Sequence, residues 1–207
     1  MRRTIHKALL VAGGALALAG QARANTISVG SNPSTVPDGP NFKWTYAASL
    51  LNGKVRTGEG LITIYDFAGF VPGSAFSSDP NWTFSSNVTG TTPSDLAPVG
   101  NLFDDLSIPN LTWMYTGPEL ISPNTSISVP LGTFGADSTL SASILDKYVT
   151  QDRSNPSDAA PDGAVSGSFG STDVPVNRQV PDSGSSVMLL GLALLGLGGL
   201  ARKSALA

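Results

Sequence analysis

Phe42-Lys43-Trp44-Thr45-Tyr46-Ala47-Ala48-Ser49-Leu50 is the stretch that decides the fold. Phe42, Trp44, Tyr46, Ala48 and Leu50 recur at every second position. In an extended chain alternate side chains point to the same side, so these five define one apolar face of a strand whose other face is polar. Asn52-Gly53 follows, a pair that tolerates positive φ at both positions and so suits a type I′ turn. A second extended run over residues 55–67, centred on Leu61-Ile62-Thr63-Ile64-Tyr65, completes a predicted β-hairpin over residues 42–67.

Further strands are expected at residues 82–88, 111–116, 126–131 and 139–150, with a weaker one at 163–169. Residues 139–150 could form a short helix instead. The alternation of Leu140, Ala142 and Ile144 and the β-branched content favour a strand. Gly, Pro, Ser, Thr, Asn and Asp fill the gaps, and no long segment repeats apolar residues at helical spacing. Short strands separated by turn residues predict an all-β fold, a single antiparallel β-sandwich of jelly-roll or Ig-like type. The domain is expected over residues 25–170. Residues 171–179, poor in aromatic residues and rich in polar ones, read as a spacer.

Both ends are different in kind. Arg2, Arg3 and Lys7 precede an apolar run over residues 8–20, and Ala22-Arg23-Ala24 then offers an A-x-A cleavage site with Asn25 as the new terminus. Basic, apolar and small-residue parts in this order read as a removable secretory signal over residues 1–24, handled by a signal peptidase and the secretion machinery. At the other end Val180-Pro181-Asp182-Ser183-Gly184 precedes a run of Val, Met, Leu, Gly and Ala over residues 187–200, closed by Arg202-Lys203. A helix of this run would be short for a ~30 Å hydrocarbon core. Extended by its neighbours it nears the lower limit for a span. Arg202 and Lys203 would stay cytoplasmic and the domain would lie across the membrane.

The chain has no cysteine, and its single histidine, His6, falls in the signal. Disulfides, a thiol nucleophile, a Ser-His-Asp triad and His or Cys metal sites are therefore excluded from the mature protein. Residues 25–180 hold six Lys and Arg against fourteen Asp and Glu, a net charge of −8. An acidic domain without a basic stripe does not suit nucleic-acid binding.

The tail resembles the VPDSG-CTERM variant of the PEP-CTERM superfamily of exosortase substrates. The resemblance rests on Val180-Pro181-Asp182-Ser183-Gly184, the Leu/Gly/Ala-rich run over residues 189–197 and Arg202-Lys203, in that order. Ser204-Ala205-Leu206-Ala207 is a departure, because the basic cluster more often closes such tails. The resemblance implies recognition and cutting near the motif by an exosortase-type membrane transpeptidase, so that catalysis belongs to the partner. It also implies transient inner-membrane anchoring, then delivery to the cell surface or matrix of exopolysaccharide-producing bacteria, with exopolysaccharide as a further partner.

Three chemistries compete for the middle of the chain. A carboxylate-dependent hydrolase would draw on Glu59, Asp66, Asp104, Asp105 and Glu119, although nothing in their context singles out a pair. A carbohydrate-binding module would use Trp44, Trp82 and Trp113 as a sugar platform, yet each sits in a predicted strand among other aromatic residues, as a core requires. No cofactor is assigned. Calcium is a minor candidate at Asp152, Asn155, Asp158 and Asp162, whose spacing is not that of an EF-hand loop. Sequons begin at Asn81, Asn87, Asn110 and Asn124, and in a Ser/Thr-rich chain they arise readily by chance. The expected protein is thus an exported, non-enzymatic surface or matrix protein, with a secreted carbohydrate-binding module as the alternative.

Overall fold

In the computed structural model, which describes residues 26–96, 104–124, 126–155 and 164–177, the alternation of residues 42–50 becomes the central strand of a sheet. This strand, β3 (Asn41–Leu51), buries Trp44, Tyr46, Ala48 and Leu50 and turns Ala47 to solvent. β1 (Thr26–Val29) and β2 (Ser34–Asp38) pair with successive parts of one side of it, and β10 (Ser128–Ser138) with the other. A short β6 (Phe76–Ser77) on β10 completes a five-stranded antiparallel sheet. β10 carries a bulge between Pro130 and Gly132, which lets Leu131 drop into the core. Gly135 then passes so close to β3 that a Cβ there would lie 1.9 Å from the Trp44 carbonyl oxygen.

The second sheet has seven strands, β4 (Gly53–Val55), β5 (Leu61–Ile64), β7 (Trp82–Asn87), β8 (Asn110–Tyr115), β9 (Leu120–Ile121), β11 (Ser143–Ser154) and β12 (Val165–Pro175). The order runs β7-β8-β5-β11, with β12 on the far side of β11 and β4 and β9 continuing from its end. Every pairing is antiparallel. The inner faces of the two sheets share one core: Ile27, Trp44, Tyr46, Leu50 and Phe134 from the first meet Ile62, Ile64, Leu111, Trp113, Tyr148 and Val174 from the second. Ring contacts link Trp44, Phe67, Phe70, Phe84, Trp113, Phe134, Trp82 and Tyr115 in one chain through that core. The architecture is an antiparallel β-sandwich, as the alternation predicts. The N-terminal signal helix and the C-terminal hydrophobic helix expected from the sequence lie outside the described residues.

Three local expectations are corrected. The 42–67 segment is not a hairpin, because β3 belongs to one sheet and β4 and β5 to the other. A type I′ turn needs positive φ at both central residues, and here only Asn52 has it, at 50°. Gly53 is required for a different reason: a Cβ there would lie 2.2 Å from Asp152 Oδ2. The chain turns a corner between the sheets, held where the Asn52 amide donates to Ser122 Oγ at 2.8 Å and the Ser122 amide to the Gly53 carbonyl at 2.9 Å. The extended run over residues 55–67 is likewise broken by a turn, with the Glu59 and Gly60 amides donating to the Arg56 carbonyl. A tight hairpin does occur earlier, between β2 and β3 at Gly39-Pro40, where Gly39 has φ 60° and Pro fixes the next φ.

The strand expected at 139–150 forms four residues later, as β11. The third correction concerns the spacer. β12 runs through Ser171 to Pro175 in unbroken register with β11, and Thr172 and Val174 are fully buried. The domain therefore extends at least to Asn177. Composition misled because the backbone ladder and a neighbour's ring do the covering: Gly170 sits against Tyr148, whose ring would lie 2.4 Å from a Cβ added there.

Candidate functional site

A group of hydrogen-bonded acids gathers where β5, β8 and β11 meet. Just past β5 the chain turns at Asp66, a non-glycine residue in the left-handed region with φ 52°. Short polar side chains tolerate that region best. The Asp66 amide donates to Asn110 Oδ1 at 2.8 Å, and Asn110 Nδ2 donates to Asp104 Oδ1 at 2.7 Å and to the Val88 carbonyl at 3.2 Å. Asp66 Oδ1 accepts from the Asp105 amide at 3.0 Å. On β11, Asp146 stands near enough for its charge to act on Asp66. Three of the five carboxylates named from the sequence, Asp66, Asp104 and Asp105, are thus brought together.

Their environments differ. Burial pushes the Asp66 carboxyl up to about 7, with the charges of Asp146, Asp104 and Asp105 adding to the rise and the Asp105 amide opposing it. Burial also raises Asp146, opposed chiefly by the Lys147 amide, which donates to its Oδ1 at 2.7 Å. Asp105 is held low by the Ser107 hydroxyl and amide, which donate to its Oδ1 at 2.7 and 2.9 Å.

Beside this group opens a cleft of about 390 Å³, walled by Ala68 and Gly69, by Ser107, Ile108 and Pro109, by Thr139 and Leu140, and by Val176 and Asn177. The described residues lining it include no carboxylate. A molecule in the cleft would meet apolar and small polar groups, not two facing acids.

The remaining carboxylates are used elsewhere. Glu59 pairs with Arg153, and its carboxyl is held low chiefly by that hydrogen bond. Glu119 pairs with Arg56. These pairs fasten the 56–60 turn to β11 and to the segment before β9. Trp44, Trp82 and Trp113 are all in the core, at most 6% exposed, so none offers a ring face to a sugar. Asp152 is fully buried beside Gly53, and Asn155 donates to the Ser122 carbonyl at 2.7 Å. Asp158 and Asp162 lie outside the described residues. Among the described residues no group of three or more acids or histidines is arranged to hold a metal ion.

Two site residues escaped the sequence reading. Asp146 was available from parity: it stands between Ile144 and Tyr148 on the side of β11 that carries the buried Tyr148 and Thr150, an acid in an inward register. Asn110 drew notice only as a sequon start. It is 1% exposed and committed to the carboxylate group, so a glycan there would dismantle the site. Asn87 and Asn124, by contrast, are exposed.

Ala22, Ala24, Asn25, Val180, Pro181, Asp182, Ser183, Gly184, Arg202 and Lys203 lie outside the described residues. Among the described residues no helix is long and apolar enough to cross a membrane. Residues 179–204 match the family described as the VPDSG-CTERM motif. The match bears out the tail's resemblance to the VPDSG-CTERM variant of PEP-CTERM-type sorting domains. That motif is the mark of an exported protein processed by an exosortase-type enzyme. No curated protein and no solved structure matches the chain.

Proposed function

We propose that this chain is a non-catalytic cell-surface or extracellular-matrix protein whose β-sandwich is the delivered cargo and whose tail is the address. A signal peptidase removes residues 1–24. The run over residues 187–200 then holds the protein in the inner membrane with Arg202 and Lys203 on the cytoplasmic side, until an exosortase-type transpeptidase cuts near Val180-Pro181-Asp182-Ser183-Gly184 and passes the domain outward, to an exopolysaccharide or biofilm matrix. The observation that carries this reading is the motif match over residues 179–204, which begins two residues after Asn177, where the sandwich has already completed its last strand. Cargo and address are thus adjacent in sequence without sharing residues.

The reading that the domain has no activity of its own is supported by how its acids and aromatic rings are employed, in ion pairs, a hydrogen-bonded carboxyl group and the core. The same placement of the indoles removes the residues that favoured a carbohydrate-binding module. Deleting residues 180–203 and fractionating the producing cells tests the proposal. Loss of the protein from the surface and matrix fractions, with the domain still folded by circular dichroism, supports it. Unchanged distribution and unchanged processing overturn it.

A further inference from the structure

β7 ends the second sheet, so one side of its backbone has no neighbouring strand. The ladder with β8 fixes which groups point that way. The Thr116 amide donates to the Asn81 carbonyl at 2.7 Å, one step beyond the Trp82–Tyr115 pair, and the Tyr115 amide turns the other way, to the Gly60 carbonyl at 2.9 Å. Backbone groups alternate in direction along a strand, so Asn81, Thr83 and Ser85 bond β8 while Trp82, Phe84 and Ser86 point outward. The Trp82 amide is taken by the Asp79 carbonyl at 3.4 Å. Among the described residues, the Phe84 and Ser86 amides and the Trp82 and Phe84 carbonyls have no hydrogen-bond partner. Beside them the Phe84 ring, 37% exposed, lies 5.9 Å from the half-buried Phe70 and gives the edge an apolar rim. Elsewhere the sheet edges among the described residues are closed or interrupted. On β12 the Gly167 amide donates to Asp95 Oδ2 at 2.8 Å and the Asp173 amide to the Ser31 carbonyl at 3.0 Å. β10 is covered by β6 and by the Val71 and Ser78 amides, which donate to its Asp137 and Thr133 carbonyls. On β1 the Ile27 carbonyl accepts from the Thr150 hydroxyl. β2 carries Pro37, which has no amide to offer, and the Asp38–Lys43 ion pair, and β9 is two residues long.

We propose that β7 is a self-pairing edge, on which a second copy of this chain adds its own β7 antiparallel across a two-fold axis. An axis at Phe84 matches each open donor to an open acceptor. The two Phe84 residues exchange main-chain bonds, and each Ser86 amide donates to the Trp82 carbonyl of the other copy. The Phe84 rings then meet across the axis, each backed by Phe70. Charge selects the occupant. A two-fold contact lays a patch against itself, so a charged patch repels its own copy. Residues 25–180 carry a net charge of −8, yet residues 80–94 and 106–118, which supply β7, β8 and their flanks, contain no charged residue. A foreign partner of an acidic domain would be drawn to its acidic surface, whereas this neutral strip fits a second copy. β7 also has no Lys, no Pro and no bulge, the devices that keep edge strands apart.

The test is sedimentation and residue-resolved amide exchange of the exported chain over a concentration series. The mass is expected to rise from one chain to two. As it does, the Phe84 and Ser86 amides should gain about tenfold protection, while the Thr83 and Ser85 amides, already bonded to β8, change little. Phe84→Lys sets two like charges at the axis and should leave a single chain at every concentration. Should that variant fail to fold, Ser86→Pro removes an outward donor without touching the ladder with β8, and should weaken pairing about tenfold. A single chain at all concentrations, a dimer that forms as readily in a folded variant, or a dimer whose added protection falls outside residues 82–86 would each overturn the proposal.

Discussion

Replacing Trp113 by Ala separates a core indole from a sugar platform. Trp113 is wholly buried on β8, between Ile62 of β5 and Phe84 of β7, and its ring lies 5.4 Å from that of Phe84 and 5.6 Å from that of Phe134. Truncating a buried aromatic side chain to Ala costs about 3–5 kcal/mol, from lost transfer energy and the cavity left behind. Two ring–ring contacts, each worth about 0.5–1.5 kcal/mol, place this site at the upper end of that range. For a domain of this size ~4 kcal/mol corresponds to a fall in Tm of roughly 8–16 °C. Trp113→Phe should behave quite differently. The indole Nε1 is buried with no hydrogen-bond partner among the described residues, so the smaller ring gives up no hydrogen bond and relieves an unsatisfied donor. Its loss should stay below about 1.5 kcal/mol. Urea unfolding followed by circular dichroism reads both variants. If Trp113→Ala unfolds within 1 kcal/mol of the wild type (by order of magnitude, the range of a surface substitution), the indole is not where the sandwich puts it and the argument against a sugar platform fails.

Other predictions follow from the same geometry. Gly170→Val should destabilise by about 1–3 kcal/mol, since a Cβ at that position meets the Tyr148 ring; a neutral effect in thermal melts would mean that β12 is not part of the sheet. Asn110→Ala, which removes the acceptor for the Asp66 amide and the donors to Asp104 and Val88, should cost about 2–4 kcal/mol in chemical denaturation. Glycopeptide mapping should find Asn110 unmodified even if other sequons are occupied. Asp66 binds its proton more tightly folded than unfolded, so its contribution to stability is full below the ordinary carboxylate range and is lost as pH rises through about 7. Discounted for its partial exposure, that loss should be ~1–2 kcal/mol between pH 4 and pH 8 and should vanish in Asp66→Asn, as read by urea midpoints. Glu59 and Asp105, held low, contribute the opposite way, with stability lost as pH falls below the ordinary carboxylate range.

The sandwich was legible where side chains alternate over a long run. Trp44, Tyr46, Ala48 and Leu50 announce both the strand and its buried face, and β7 and β8 stand close to where their aromatic residues put them. The 52–53 corner was not legible, because Asn-Gly looks the same whether it turns a hairpin or carries the chain between sheets. Which occurs depends on Ser122 and Asp152, distant in sequence. The first part of β12 was expected at 163–169, but its continuation through Pro175 was hidden by polar composition, since the ladder with β11 and the cover from Tyr148 are tertiary. In the candidate site, Asp66, Asp104 and Asp105 could be named from sequence but not joined. Joining them took Asn110, disguised as a sequon; Asp146, which reads as a surface acid, lies near enough for its charge to act on Asp66. The tail was readable without any fold, because a sorting signal is a linear arrangement of polarity and charge, and the motif match falls on it.

Intact-mass and terminal-peptide analysis of the protein recovered from outside the producing cells tests the sorting account most directly. The account predicts a chain that begins at Asn25 and ends at or near the Val180–Gly184 motif, with the run over residues 187–200 and the Arg202-Lys203 pair gone. Recovery of an extracellular chain that still carries residues 187–203 would contradict it.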